Sequence, residues 1–408
     1  MNYVIFLLKY IAITLFFAAF LYLRLVHPHK LRGKWRIIAG LGCLFVGGVS
    51  AFALPVTLKL ARTRPLYDRF SAIDWLPGLY YVMVFLFAIV ACIVVRDCIW
   101  ALLAIVRRIR KRRNETTSQQ NKPENAGESD VLTRREFLRR ASTMTTVGLA
   151  TAAIPTLAWS GKTRVVRHID VPMSSIPPGL DGLRIVHLSD IHVGSTINAQ
   201  DVAKIVAETN AQNPDLIVIT GDIADGYPDL IGSWLDPMRN FKASLGIWFV
   251  TGNHEHLWDG HGWCDVVSKL GIRVLDNAHE IVDVGGTPLA IAGAIDASGD
   301  RTDLSWQSDP EKALSGIAPG IFRLMLVHKP VSVDRSFAAG ADLVLLGHTH
   351  GGQCIPLNFI VNATQKYARG LYRVDGRVAF VSSGTGYWGP PLRIGIPCEI
   401  DVLTLRRV

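Results

Sequence analysis

A chain of 408 residues, 49% of them hydrophobic and with a mean hydropathy of +0.26, is too long for one small domain and too apolar for a purely soluble enzyme. The net charge of +9 is uneven: residues 1–140 hold 22 of the 43 Lys and Arg but only 8 of the 34 Asp and Glu, so the remainder is net acidic. The basic residues flank apolar stretches, a pattern that membrane topology explains and that argues against nucleic-acid binding. The 6 cysteines include no CxxC spacing, so neither a zinc ribbon nor a thioredoxin-like site is supported.

Three segments, near 4–24, 37–58 and 75–95, each supply the roughly 20 apolar residues that a bilayer-spanning helix needs. Residues 1–113 are therefore expected to be a membrane region with three transmembrane helices. Arg24, Lys30, Arg32, Lys34 and Arg36 follow the first segment; Arg96 and the basic run Arg107–Arg113 follow the third. The positive-inside rule sets both loops on the cytoplasmic side. Lys59, Arg62, Arg64 and Arg69 between the second and third segments fit that rule less well. These spans hold few ionisable residues, which favours an anchor over a transport path.

Residues 114–130 are polar, with Pro and Gly, and predict a flexible linker. Residues 131–160 follow. Arg134-Arg135, then Phe137-Leu138, then the milder apolar run Ala141–Trp159 resemble a twin-arginine export signal; the other reading is a fourth apolar helix with a basic flank. Both readings put the chain after Trp159 outside the cytoplasm. The expectation is a multi-pass protein of the inner (cytoplasmic) membrane with its C-terminal domain on the periplasmic or extracytoplasmic side. Its partners would be the lipid bilayer and, during export, the twin-arginine translocase; nucleic acid is not expected.

From about residue 161 to 408 the pattern changes. Leu183–Leu188, Leu216–Thr220, Ile247–Thr251, Leu289–Ala292, Arg323–Val327 and Leu343–Leu346 are continuous apolar runs of strand length. Such runs suit strands buried on both faces. Ala199–Ala211 and Pro228–Phe241 have helical spacing, so an α/β layered domain is expected. Polar residues sit where the strands end: Asp190 and His192, then Asp222, then Asn253, His254 and Glu255, then His328, then His348 and His350. Ligands of such sheets bind at the carboxyl ends of strands.

Asp and neutral His ligate first-row divalent cations, and Asn offers a carbonyl oxygen. Asp190, His192, Asp222, Asn253, His328, His348 and His350 are too many for one metal and enough for two that share a carboxylate, for which Asp222 is the natural candidate. Two such cations clamp a phosphate and generate hydroxide near neutral pH. Taken singly, Asp190-x-His192 reads more often as a surface turn and His328 as a satisfied core histidine. As an ordered set at strand ends they have no comparable packing role, because buried polar groups without partners are costly.

The order Asp-x-His, Gly-Asp, Gly-Asn-His-Glu, His, Gly-His-Thr-His resembles the calcineurin-like metallophosphoesterase superfamily over roughly Leu183–Val408. Gly351-Gly352-Gln353, Gly370-Leu371-Tyr372, Val381–Gly386 and Pro391-Leu392-Arg393 are similar to its bacterial membrane-associated branch, the YkuE and YaeI type. The resemblance implies a four-layer α/β/β/α sandwich. It also implies a first metal on Asp190, His192, Asp222 and His350, a second on Asp222, Asn253, His328 and His348, and a proton-donating, phosphate-contacting His254. Mn, Fe or Zn would serve as the two divalent ions. Glu255 is expected to orient a histidine; Asp225 would do the same or be an ordinary loop residue. Trp258, Trp263, Tyr387 and Trp388 would line a groove, touch membrane, or pack. The implied activity is hydrolysis of a phosphate ester or phosphoanhydride by metal-activated hydroxide, with a phosphodiester, phospholipid or lipid-linked phosphate as substrate. The alternatives are a UDP-2,3-diacylglucosamine pyrophosphatase-type activity and a metal-binding sensor without turnover.

Overall fold

The computed structural model describes residues 3–29, 33–61, 72–115, 134–298 and 305–408. The chain divides into two units, one of Met1–Val56 with Gly78–Thr156, the other of Thr57–Pro77 with Leu157–Val408.

The N-terminal helices are α1 (Tyr3–Leu21), α2 (Lys34–Ala61), α3 (Ala72–Glu115) and α4 (Arg134–Ser160). The three apolar segments read from the sequence fall largely in α1, α2 and α3. Helix α3 runs well past the third segment and through the basic run into Asn114 and Glu115; straight-chain Lys and Arg are good helix formers, so the charges do not stop it. The rest of the expected linker, 116–130, lies outside the described residues. Among the described residues one stretch, Pro77–Arg110, is long and apolar enough to cross a membrane. The twin-arginine-like segment, from Arg134 onward, opens α4 and the Ala141–Trp159 run continues it.

Among the described residues of the second unit, twelve strands form two sheets. The first is ordered β1 (Arg164–Met173), β12 (Cys398–Arg407), β2 (Arg184–Leu188), β3 (Leu216–Thr220), β4 (Gly246–Val250), β5 (Arg273–Val274). The second is ordered β10 (Gly370–Val374), β11 (Arg377–Val381), β9 (Leu343–Leu346), β8 (Phe322–Leu326), β7 (Thr287–Gly293), β6 (Ala278–Val284). β2, β3 and β4 pair in parallel, as do β7, β8 and β9. These are the continuous apolar runs of the sequence, and every residue of β3 is buried.

The side-chain period of two turns alternate residues of the second sheet's central strands toward two cores. Leu289, Leu324, Leu345 and Phe380 of the second sheet share one core with Ile185, Val218, Trp248 and Val250 of the first, so the sheets face each other. Ala290, Ala292, Met325, Val344 and Leu346 point the other way, onto Val333 and Phe337 of helix α10 (Val333–Ala338). Each of the Val, Leu, Ile, Met and Phe side chains among these contributes about 1.5–3 kcal/mol by burial.

Helix α5 (Ala199–Asn210) begins with a capping box, Asn198 and Asp201, and matches its expected span to within a residue. The other expected helix, Pro228–Phe241, is corrected: α6 stops after Pro228–Ile231, and Gly232–Asn240 continues as 3-10 turns. Gly232 and Pro237 lie inside that span, and a proline there removes an α-helical hydrogen bond. The remaining helices are α7 (Asn253–Trp258), α8 (Gly260–Lys269), α9 (Pro310–Leu314) and α11 (Leu357–Thr364).

Candidate metal centre

The loops after β2, β3, β4, β8 and β9 converge. They are stitched by backbone hydrogen bonds: Asp190 N to Gly221 O at 3.0 Å, His192 N to Asp222 O at 3.0 Å, Gly347 N to His328 O at 3.2 Å. A Cβ on Gly347 would collide with the side chains of Ser189 and Asp190, so glycine lets the fifth loop close on the first. Asp190, His192, Asp222, His348 and His350 all have left-handed backbone, with φ of 52°, 54°, 50°, 73° and 50°. Chains rarely hold non-glycine residues this way, and such outliers collect at functional sites.

The side chains form two clusters. In the first, His350 Nε2 lies 3.4 Å from Asp190 Oδ1 and 3.1 Å from His192 Nε2. In the second, His328 Nε2 lies 3.1 Å from Asp222 Oδ2 and 3.2 Å from His348 Nδ1. Asp222 Oδ2 is also 3.9 Å from His192 Nε2, which sets that carboxylate between the two groups. Both trios are buried or nearly so, with ligand atoms within 4.8 Å of one another.

Three features fit a cation. Asn253 Oδ1 is buried and has no hydrogen-bond partner, a costly state for an amide oxygen. His328 Nδ1 lies 2.7 Å from the carbonyl of Thr220, which only accepts. The ring's proton is therefore on Nδ1, and Nε2 turns a lone pair toward Asp222 unless a positive charge lies between them. Burial opposes charge on His328, yet Asp222 beside it pushes its pKa up to about 10. A proton answers that demand in the free chain, and a divalent ion would answer it equally. Burial and then the neighbouring His328 drive His348 down to about 3, while burial and Arg393 hold His350 well below its ordinary value. Both are neutral imidazoles, the form that ligates metal. One contact restricts the first cluster: Arg393 Nη2 is 2.8 Å from His350 Nδ1, and a guanidinium only donates. In this arrangement the His350 proton sits on Nε2, facing Asp190, so ligation through Nε2 requires the Arg393 contact to be remade.

His254 stands beside both clusters. Its Nε2 is 3.9 Å from Asp222 Oδ2, and its backbone N donates to Asp222 Oδ1 at 2.8 Å. Its Nδ1 is hydrogen-bonded to Asp225 Oδ1. Burial works against a charged His254, but Asp225 and Asp222 more than offset it and push its pKa up to about 9. The other Asp225 oxygen lies 3.2 Å from His192 Nδ1, without the alignment of a hydrogen bond. Asp225 is thus a partner to two histidines and not an ordinary loop residue.

Glu255 corrects its expected role, because it orients backbone and not a histidine. Its carboxylate accepts the N–H groups of Gly252 at 2.6 Å, Asp222 at 2.8 Å and Ile223 at 2.8 Å. Trp258, Trp263 and Tyr387 are packed inside at 4%, 0% and 2% exposure. Trp388 is half-buried, with its ring centroid 5.9 Å from that of His254. Two further residues of the site, Gln353 and Arg393, stand in the motifs quoted above without a role that the sequence assigns. Gln353 pairs with the Trp388 backbone in both directions, each at 3.0 Å. Arg393 is 4% exposed and donates to the carbonyl of His350 at 3.1 Å. Nothing in a one-dimensional pattern marks a residue that acts by holding another residue's main chain or ring in place.

Calcineurin-like phosphoesterase is the family that matches, over residues 183–352. The uncharacterized metallophosphoesterase YkuE of Bacillus subtilis is 31% identical over 248 residues, 58% of this chain and 83% of that protein. The "Transmembrane protein with metallophosphoesterase domain" of Danio rerio is 34% identical over 250 residues, 59% of this chain and 57% of its own length. Its namesake in Bos taurus is 33% identical over 291 residues, 67% of this chain and 64% of its own. The matches thus span less than two thirds of the length of these two animal proteins. The two-sheet α/β domain with buried Asp and His gathered at its strand ends is of the metallophosphoesterase class. The chain belongs to the calcineurin-like phosphoesterase family.

Proposed function

We propose that the chain is a membrane-anchored phosphoesterase that uses two divalent ions to hydrolyse a phosphate ester or phosphoanhydride. Asp222 carries the reading, because its Oδ2 stands 3.1 Å from His328 of one cluster and 3.9 Å from His192 of the other. Asp190, His192, Asp222 and His350 would hold one ion; Asp222, Asn253, His328 and His348 would hold the other. Mn, Fe or Zn ions bound there would supply Lewis-acid polarisation of a phosphoryl oxygen and easy deprotonation of water near neutral pH. The chain's own part follows from its hydrogen bonds. Asp225 keeps His254 protonated and fixes its ring, and His254 Nε2 donates a proton to the departing oxygen. Glu255 holds the Asp222 backbone in place.

Anchoring is supported by the apolar helix Pro77–Arg110 and by the word "transmembrane" in the animal relatives' names. The fuller proposal is a multi-pass region over 1–113, a linker over 114–130, a twin-arginine-like segment over 131–160 and a four-layer phosphoesterase domain over 161–408 outside the cytoplasm. The two cores of the second unit support the layering. A lipid-linked phosphate or phospholipid fits such an anchored centre.

The test is the full chain loaded with Mn and offered phosphomonoesters, phosphodiesters, pyrophosphates and phospholipids, native against Asp222→Asn. The variant is expected to bind less metal and to lose more than about 100-fold in turnover, since even outer partners of metal ligands are worth roughly 10–100-fold. Full metal content with native turnover in the variant would refute the shared-carboxylate reading.

A further inference from the structure

Helix α11 presents an apolar face that its own domain leaves open. Leu357, Phe359 and Ile360 are 47%, 64% and 60% exposed, and Ile355 just before the helix is 45% exposed. No residue of α11 is buried, and none is charged. At about 100° per residue, Phe359, Ala363, Ile360 and Leu357 fall on one continuous arc. Single exposed apolar residues are ordinary, but a contiguous uncharged group of this kind marks a contact surface.

The face is held firmly next to the metal centre. Gly352 has φ +81°, and a Cβ there would meet Cα of Asn358 at 2.5 Å. Helix α11 therefore lies directly on the turn that carries His350. Just before it, Ile355 N donates to Ile394 O at 3.0 Å. The residue next to Ile394 holds the chain's entry into the domain: Arg393 N donates to Ser160 Oγ at 3.0 Å. Trp159, beside Ser160, is 69% exposed. The edge that carries α11 is thus also the edge where the chain arrives, with an open indole at the arrival point. Upstream of that point the same chain contains Pro77–Arg110, long and apolar enough to cross a bilayer.

We propose that α11, with Ile355 and Trp159, docks on the surface of the lipid bilayer. Leu357, Phe359 and Ile360 enter the boundary between headgroups and acyl chains, and Trp159 takes the interfacial position that indoles favour. The covalent tether keeps bilayer available to this edge. Because α11 has no charge, apolar burial sets the contact and anionic lipid adds little. Docking holds the strand-end histidines close to the plane of the lipid phosphates. Docking rests on the anchoring proposed above and not on the substrate, since a docked centre can meet a lipid phosphate or a soluble ester, and its test reads contact and not turnover.

The full chain is placed in phosphatidylcholine nanodiscs doped with a phosphatidylcholine that carries a diazirine near the glycerol end of its acyl chain. Lipid adducts are mapped by peptide mass spectrometry after illumination. Adducts are expected on 355–360 and Trp159 as well as on Pro77–Arg110, and replacing half the lipid by phosphatidylglycerol should leave their yield unchanged. F359D/I360D should lose the adducts on 355–360 and keep those on Pro77–Arg110, which also report that the variant is inserted. Adducts confined to Pro77–Arg110, or found nowhere, overturn the proposal. A photoreactive amino acid in place of Ile360 gives the complementary reading: lipid adducts support docking, whereas cross-links to a second copy or to this chain's N-terminal helices overturn it.

Discussion

At the scale of single residues, Asp225 and Glu255 divide work that sequence spacing assigns differently. Asp225 meets His254 and His192, whereas Glu255 meets four backbone N–H groups, those of Gly252, Asp222, Ile223 and Ala224. Asp225→Asn should therefore lower turnover by roughly 10–100-fold, the usual loss when the partner of a functional histidine is removed, while metal content falls little. Steady-state kinetics beside metal analysis checks this, and unchanged kcat would refute it. The strand-end positions of the seven candidate ligands were legible in the sequence because each follows an apolar run, and the structure gathers Asp190, His192, His350, Asp222, His328 and His348 into two clusters. The roles of Asp225 and Glu255 were not legible in the same way. Both carboxylates lie within three residues of a candidate ligand, and only the curl of the loops decides which one finds a ring and which finds main chain.

At the scale of elements, the central strands were readable and the outer ones were not. β2, β3, β4, β7, β8 and β9 are largely buried on both faces and appear as mostly apolar runs. β1 reads Arg-Val-Val-Arg-His-Ile-Asp-Val-Pro-Met, with partial exposure along most of its length, and has no such signature. β12 hides its nature because it buries Glu399 and Asp401 at 0% exposure. Burial and then the adjacent Glu399 push Asp401 well above the ordinary carboxylate range. A raised folded pKa means that its contribution to stability is whole below the unfolded value near ~3.9. It then falls by about 1.4 kcal/mol per pH unit until the folded pKa is passed. Asp401→Asn should remove that slope, so its thermal advantage over the native chain grows as pH rises through this window. Parallel melting curves for both proteins across pH would sink the idea. A second element-level expectation concerns Gly352. Alanine there combines a left-handed backbone with a clash against Asn358, and should lower stability by about 1–3 kcal/mol. The effect should centre on α11, read as faster hydrogen exchange over 355–364; native exchange there would contradict it.

At the scale of the whole molecule, charge and hydropathy separate a basic, apolar N-terminal part from an acidic domain, and that division is plain in composition alone. Composition is silent about energetic coupling between metal and fold. Ions that bind only the folded domain stabilise it by about 2.7 kcal/mol at a hundred times Kd, which for a domain of this size is a rise in Tm of roughly 5–10 °C. Calorimetry with Mn against excess chelator should show that rise in the native chain and much less of it in Asp222→Asn; equal melting with and without metal would tell against a built site. The left-handed backbone at Asp190, His192, Asp222, His348 and His350 gives this balance a direction. Each such residue costs roughly 1–2 kcal/mol relative to an unstrained conformation. The five together approach the marginal stability of an entire domain. Glycine at any of them relieves the strain and deletes a side chain from the centre. For a lineage retained only for its shape, mutation would run downhill toward a sturdier, inert scaffold, with the glycines arriving first at these positions. The chain instead keeps all five side chains where they are least comfortable.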